Sequence, residues 1–211
     1  MDSKKYLEDI SEIKDLMKRS SRFISLSGLS GILAGTYALI GAFLAHNRLA
    51  EFKSMNVGEY AARNSAVPAL SLTIDLVLIA SLVALAAILT SIALSYRKAK
   101  TSGEDIWNIA SRRLVLNFLI PLVSGGIFCL VLIQYGFTGL VAPAMLLFYG
   151  LACINASKYT FPDLRYLGMA FVLTGLISTQ FIGYGLYFWA LGFGIYHIIY
   201  GSLIYFKEEK A

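Results

Sequence analysis

The sequence predicts an all-α, polytopic membrane protein: six transmembrane helices arranged as a bundle of hairpins, preceded by a cytosolic amphipathic helix. Three observations predict it. The 211 residues are 57% hydrophobic and 15% charged, with a mean hydropathy of +0.67, outside the usual soluble range. Apolar runs occupy residues 23–45, 69–96, 114–134, 139–156, 164–182 and 184–206, each near the roughly 20 residues that cross about 30 Å of hydrocarbon. Basic residues collect in alternate connections. The runs use nearly the whole chain, so residues 1–22 form a charged arm and 23–211 one membrane-embedded unit, with no room for a separate soluble domain.

The formal net charge of +5 would suit nucleic acid, but its placement follows topology instead. Lys4, Lys5, Lys14, Lys18, Arg19 and Arg22 precede the first span. Arg97, Lys98, Lys100, Arg112 and Arg113 separate spans two and three; Lys158 and Arg165 separate four and five; Lys207 and Lys210 follow six. The turns at 135–138 and around Gly183 carry no Lys or Arg. Alternate basic connections are the positive-inside pattern, with both termini cytosolic. The segment 46–67 fits it least, since Arg48, Lys53 and Arg63 lie outside, partly balanced by Glu51 and Glu59. The arm is too long and too mixed in charge for a secretory signal. Cys129 and Cys153 fall in different spans at different depths and read as small apolar fillers, not as a disulfide or metal pair.

Taken in order, Tyr6, Ile10, Ile13 and Met17 recur at spacings of four and three among Glu8, Asp9, Glu12, Lys14, Asp15 and Lys18. That is an amphipathic helix with a narrow apolar stripe, suited to rest on the cytosolic ends of the spans or on headgroups, or to form a short coiled-coil seam for dimerisation or for a cytosolic protein partner. Span one places Ser27, Gly31 and Gly35 on one line, with Ser30, Ala34 and Ala38 beside it. In lipid, small-residue surfaces of this kind let backbones approach, so Ser27, Gly31 and Gly35 are expected to be a helix-packing face. The outer segment 46–67 reads as a loop with an interfacial helix. Pro68 suits the first turn of span two, with Ser65 as a cap. Asp75 lies two turns inside that span; an ionisable residue there is a functional candidate, or it pairs with Arg48, Arg63 or His46. Ala80, Ala84, Ala87, Ser91 and Ser95 form a second small-residue edge.

After the basic connection, Ser102 is expected to open a helix with Glu104 and Asp105 in its first turn, and Trp107 to sit at the inner interface. In span three Pro121 releases the carbonyl of Asn117, and Ser124, Gly125 and Gly126 follow; such backbone lines a cavity or bends a helix. The turns 134–140 (QYGFTGL) and 180–186 (QFIGYGL) resemble one another, as though spans three–four and five–six were two copies of one hairpin. Span six is aromatic throughout and carries Ala190, Gly194, Gly201 and one histidine. His197 lies roughly 13 Å from its inner end at about 1.5 Å per residue, near the midplane. Ser30, Ser124 and Thr174 fall at similar depth. His197, Tyr196, Ser30, Ser124, Thr174, Asp75 and Asn117 are therefore the candidate ligand or pathway residues, set against a plainly structural, hydrogen-bonded histidine.

Catalytic chemistry has no foothold in this reading. His46 and His197 lie at unmatched depths for bis-histidine ligation, and no HExxH, CxxC pair, GxSxG, Walker or dinucleotide-glycine pattern occurs. No catalytic residue, metal or cofactor is expected, and no nucleic-acid partner. The segment 17–31 (MKRSSRFISLSGLSG), followed by Ala34-Gly35 and 38–41 (ALIG), resembles an uncharacterised family of small multi-span bacterial inner-membrane proteins. The resemblance implies residence in a bacterial inner membrane, and no activity. The leading functional expectation is a non-catalytic sensory or regulatory component whose spans recognise a small ligand, lipid or membrane partner. A small-solute permease or channel, working as a homo-oligomer, is the rival; a lipid-modifying enzyme is the third.

Overall fold

The computed structural model describes residues 27–54, 67–103 and 107–208. The expected N-terminal amphipathic helix, most of the outer segment 46–67, and Glu104 and Asp105 fall outside the described residues. Among those described, every regular element is helical and no strand occurs. In chain order these are α1 (Gly28–Ser54), α2 (Val67–Ser102), α3 (Ile109–Gln134), a 3-10 turn (Thr138–Leu140), α4 (Val141–Ala156), α5 (Leu164–Ser178), α6 (Gly185–Trp189), a π-helical segment (Ala190–Tyr196) and α7 (His197–Glu208). Among the described residues five helical stretches are long and apolar enough to cross a membrane: α1, α2, α3, the 3-10 turn with α4, and the last stretch from α6 through α7. α5 has 15 residues, about 22 Å at 1.5 Å per residue, short of the roughly 30 Å of hydrocarbon.

Three boundaries differ from the sequence expectation, each for a local reason. α1 does not stop at Ala45 but continues to Ser54, so His46 to Ser54 is helix and not loop. Arg48 and Glu51, one turn apart and 2.9 Å from each other, support that extension. Ser102 closes α2 instead of opening the next helix. Gly103 follows at φ 67°, the left-handed conformation that ends helices. The cap of α3 is Asn108, whose side-chain oxygen accepts from the Ser111 N–H at 2.8 Å.

The described chain forms two compact units. In the first, residues 96–177, α3 and α4 are antiparallel neighbours joined at Gly136, whose φ of 79° makes the tight reversal. Cys129, Leu132 and Ala144 are buried together near that reversal, with Leu140, Val141 and Met145 packed on them. Phe118 meets Tyr149 edge-on at 5.7 Å, and Tyr149 lies 4.8 Å from the fully buried Phe171 of α5. α4 and α5 touch through backbone: a Cβ on Gly150 would stand 2.7 Å from the Gly168 carbonyl oxygen, and one on Gly168 the same distance from that of Gly150. α5 thus packs on α4. Both cysteines are buried and free.

In the second unit, residues 27–95 and 178–208, α1 runs antiparallel to the last helical stretch. Gly28 faces Tyr205 at one end, and His46 meets Tyr187 edge-on at 6.1 Å toward the other. α2 joins α1 through Val83, whose Cγ2 is 2.5 Å from where a Cβ of Gly41 would lie, and through Arg48 and Asp75. Most large apolar side chains of α2 are exposed, among them Leu82 at 65% and Ile92 at 62%, as suits a helix bathed in hydrocarbon rather than water.

Candidate functional site

The second unit is built on a close helix crossing. A Cβ at Gly31 would lie 2.9 Å from the Gly201 Cα and 3.3 Å from the His197 carbonyl oxygen. One at Gly35 would lie 2.5 Å from the Gly194 carbonyl oxygen, and one at Gly201 would lie 2.5 Å from the Ile32 nitrogen. These are backbone atoms, which cannot move aside as a side-chain end can. Gly28, Gly31 and Gly35 therefore meet Gly194 and Gly201 main chain to main chain, the geometry that small residues permit where lipid supplies no hydrophobic drive. Ser27 is buried at the head of this face. Ser30 is also buried; its hydroxyl donates to the Ser27 carbonyl at 2.6 Å, a local back-bond that occupies its proton.

α1 rests here on the one irregular part of the last span. Residues 190–196 are π-helical, an extra residue accommodated in the turn, which loosens the hydrogen-bond ladder and is enriched at functional positions. The His197 backbone N–H donates to the Gly194 carbonyl. Its imidazole Nδ1 stands 3.4 Å from the Gly192 carbonyl oxygen, a long contact that is a hydrogen bond only in the Nδ1–H tautomer. The ring is stacked on Phe193 at 6.1 Å, and Phe193 lies 5.1 Å from the buried Trp189. His197 and Tyr196 are both half-buried. His197 is thus an aromatic-stacked residue at the C-terminal edge of the π segment, on the helix that α1 covers.

Asp75 is paired with Arg48, Nη2 to Oδ2 at 2.6 Å, while the other guanidinium nitrogen holds Glu51. Of the three partners weighed for Asp75, the structure shows Arg48; the bridge ties α1 to α2. Thr90 of α2 donates to the Ala86 carbonyl at 2.7 Å and stands 3.4 Å from the Tyr37 hydroxyl of α1.

Asn117, Ser124 and Thr174 belong to the first unit, and Ser30, Asp75, Tyr196 and His197 to the second. Ser124 is exposed and bonds back to the Ile120 carbonyl at 2.8 Å; Thr174 is buried. The carbonyl of Asn117, deprived of its helical partner by Pro121, accepts from the Asn155 Nδ2 of α4 at 2.9 Å. The Asn117 side chain donates to the Arg113 carbonyl at 2.8 Å. Asn117 is accordingly one half of an interhelical clamp.

Two features had no counterpart among the sequence candidates. Phe181, Tyr184, Tyr187, Phe188 and Leu191 line an open hollow of about 480 Å³ where the last span begins, after Gly183 turns the chain at φ 97°. The aromatic count of the last span signalled packing but not this concavity. The π segment is the other, since no periodicity announces one inserted residue. Among the described residues no group of three or more His, Cys, Asp or Glu is placed to hold a metal ion. Comparison of the chain with known protein families, with characterised proteins and with solved structures finds no match.

Proposed function

We propose that the chain is a six-span integral protein of the inner (plasma) membrane with both termini cytosolic, acting as a non-catalytic sensory or regulatory component. In this reading α5 completes the sixth crossing despite its length. One face of it, Leu164, Leu167, Phe171, Thr174 and Ser178, is buried while Met169, Leu173, Leu176 and Ile177 are exposed, the two-sided pattern of a span at the edge of a bundle, and a bilayer can thin locally around a short one. The alternate basic connections support the orientation.

The observation that carries the regulatory reading is the course of α1. It touches the last span at the aromatic hollow through His46 and Tyr187, at the π segment through Gly35 and Gly194, and near its C-terminal end through Gly28 and Tyr205. It then continues backward into the charged arm. An apolar or lipid-like ligand in the hollow, or a membrane partner against it, would bias the π segment. α1 has no slack against that segment and would pass the change to residues 1–22. A two-state element biased from two sites is what coupling requires.

The test is a comparison of two activities of the purified full-length protein. Binding of a defined partner that is lost on Ile10→Asp/Ile13→Asp supports the regulatory reading. Solute flux in liposomes that survives deletion of residues 1–18 and disappears with His197→Ala sinks it and supports the permease.

A further inference from the structure

The first unit has one strongly cationic end, and the fold builds it from four separate pieces of chain. Asn155, near the end of α4, bonds to Asn117, about two turns into α3, so the end of α4 and the first turns of α3 lie toward one end of the unit. The crossing of Gly150 with Gly168 brings the start of α5 to the same end. Lys98, in the last turns of α2, lies 6.0 Å from the ring centre of Phe161 in the α4–α5 connection, which places α2's end there too. The seven basic residues among the unit's described residues lie toward this end as a result: Arg97, Lys98, Lys100, Arg112, Arg113, Lys158 and Arg165. Six of them, all but Lys98, are exposed. Among the described residues of the unit the one carboxylate is Asp163, and no described acid pairs with any of those six.

The platform beneath these charges is firmly packed. Ala99, Ala110, Ser111, Ala156, Thr160 and Phe161 are all buried. Around its rim stand exposed amphipathic and apolar side chains: Tyr96 at 55%, Trp107 at 67%, Ile109 at 71% and Tyr166 at 70% exposure. Cations held at fixed helix ends, ringed by aromatics that favour the headgroup level, match one ligand chemistry. It must bear phosphate for the cations and be continuous with hydrocarbon for the rim.

We propose that this end of the first unit, where Arg97, Lys100, Arg112, Arg113, Lys158 and Arg165 converge inside a rim of Tyr96, Trp107 and Tyr166, binds the headgroups of anionic phospholipids, with preference for a headgroup carrying two phosphates. Six exposed cations exceed what the single charge of one phosphodiester neutralises, which is the reason for that preference. The site rests on the membrane-embedded reading of the chain and is independent of any signalling by α1. None of its residues lies in α1 or the last span, so its failure leaves the regulatory test standing.

Trp107 supplies the reporter. The full-length protein carrying Trp189→Phe, in neutral-detergent micelles, is titrated with diphosphatidylglycerol and, separately, phosphatidylcholine while Trp107 emission is followed. The expected result is a saturable shift with diphosphatidylglycerol and none with phosphatidylcholine at the same mole fraction. Arg112→Gln/Arg113→Gln/Arg165→Gln should weaken the response by about fivefold per cation removed, on the order of 100-fold in all. The same three positions changed to Lys should stay within about threefold, since a surface potential counts charge and not side-chain type. Lys53→Gln, on a cation outside the site, should leave it unchanged.

Equal responses to the two lipids, or full binding by the triple Gln variant, would overturn the proposal. So would displacement of the lipid by inorganic pyrophosphate at equal concentration, which would make this a free-anion site. If the Gln variant does not fold, salt decides on the unmodified site: affinity should fall at least tenfold between about 0.05 and 0.5 M NaCl as screening shortens, and a salt-independent affinity overturns the assignment.

Discussion

Replacing Asn155 with Ala removes the donor that serves the Asn117 carbonyl, and the structure says what that should cost. The bond is 2.9 Å long and joins two half-buried residues 38 positions apart. Its acceptor has no helical alternative, because residue 121 is proline and lacks the N–H that would reach back four positions. Leaving such a carbonyl unpaired away from water costs about 1–3 kcal/mol. Interhelical hydrogen bonds in membranes typically contribute about 0.6 and at most about 1.7 kcal/mol, because an unfolded chain in the membrane finds other partners. The expected loss for Asn155→Ala is therefore about 1–2 kcal/mol. Pro121→Ala restores the missing N–H, so Asn155→Ala in that background should cost about 1 kcal/mol less. A double-mutant cycle on unfolding free energies in mixed micelles reads this coupling directly. Equal costs of Asn155→Ala with and without Pro121 would refute the assignment of Asn155 as the partner of a proline-freed carbonyl.

Other expectations follow from the same geometry. Asp75→Asn and Arg48→Gln should each weaken the α1–α2 contact slightly, and the double variant no further. The effect should fade at high salt in thermal unfolding, because both groups are substantially exposed. His197→Phe keeps the stack on Phe193 and loses the ring-nitrogen contacts to main-chain carbonyls, the 3.4 Å approach to Gly192 among them, so unfolding free energy should fall by about 1–2 kcal/mol at roughly 1 kcal/mol per hydrogen bond; a loss above about 3 would mean the ring nitrogens carry more than that. A cysteine at Ser102, in a background with Cys129 and Cys153 replaced by Ala, should be labelled from the cytosolic side; labelling only from the outer side would overturn the proposed orientation.

Much of the fold was legible because lipid constrains composition so strongly. Runs of about 20 uncharged residues have few alternatives to a helix, and α1, α2, α3, α4 and the last span all fall where such runs stand. The glycines at 31 and 35 pointed to a close crossing because only small residues permit one. Which helix would lie on them was not readable, since Gly194 and Gly201 sit some 160 residues away and local pattern carries no long-range pairing. Boundaries failed where a single residue decided them: Gly103 ends α2, and Asn108 rather than Ser102 caps α3. Pro121 announced a freed carbonyl, but its donor, Asn155, lies 38 residues along the chain and nothing local marks it. The π segment was hidden altogether. Of the candidate ligand residues, Ser30 and Ser124 have their hydroxyls turned to their own helices, and Asp75 is ion-paired. The polarity of each was readable; the neighbour that engages it was not.

The most direct measurement is the unfolding free energy of Gly35→Ala beside Gly126→Ala. A Cβ at Gly35 would enter within 2.5 Å of the Gly194 carbonyl oxygen in the π segment, whereas one at Gly126 would meet nothing within 4 Å. Gly126→Ala should be neutral or more stable by up to about 1 kcal/mol, as for glycine removed from an open helix interior. Gly35→Ala should lose about 1–3 kcal/mol through overpacking against backbone. Equal stability of the two variants would contradict the claim that α1 lies main chain to main chain on the last span.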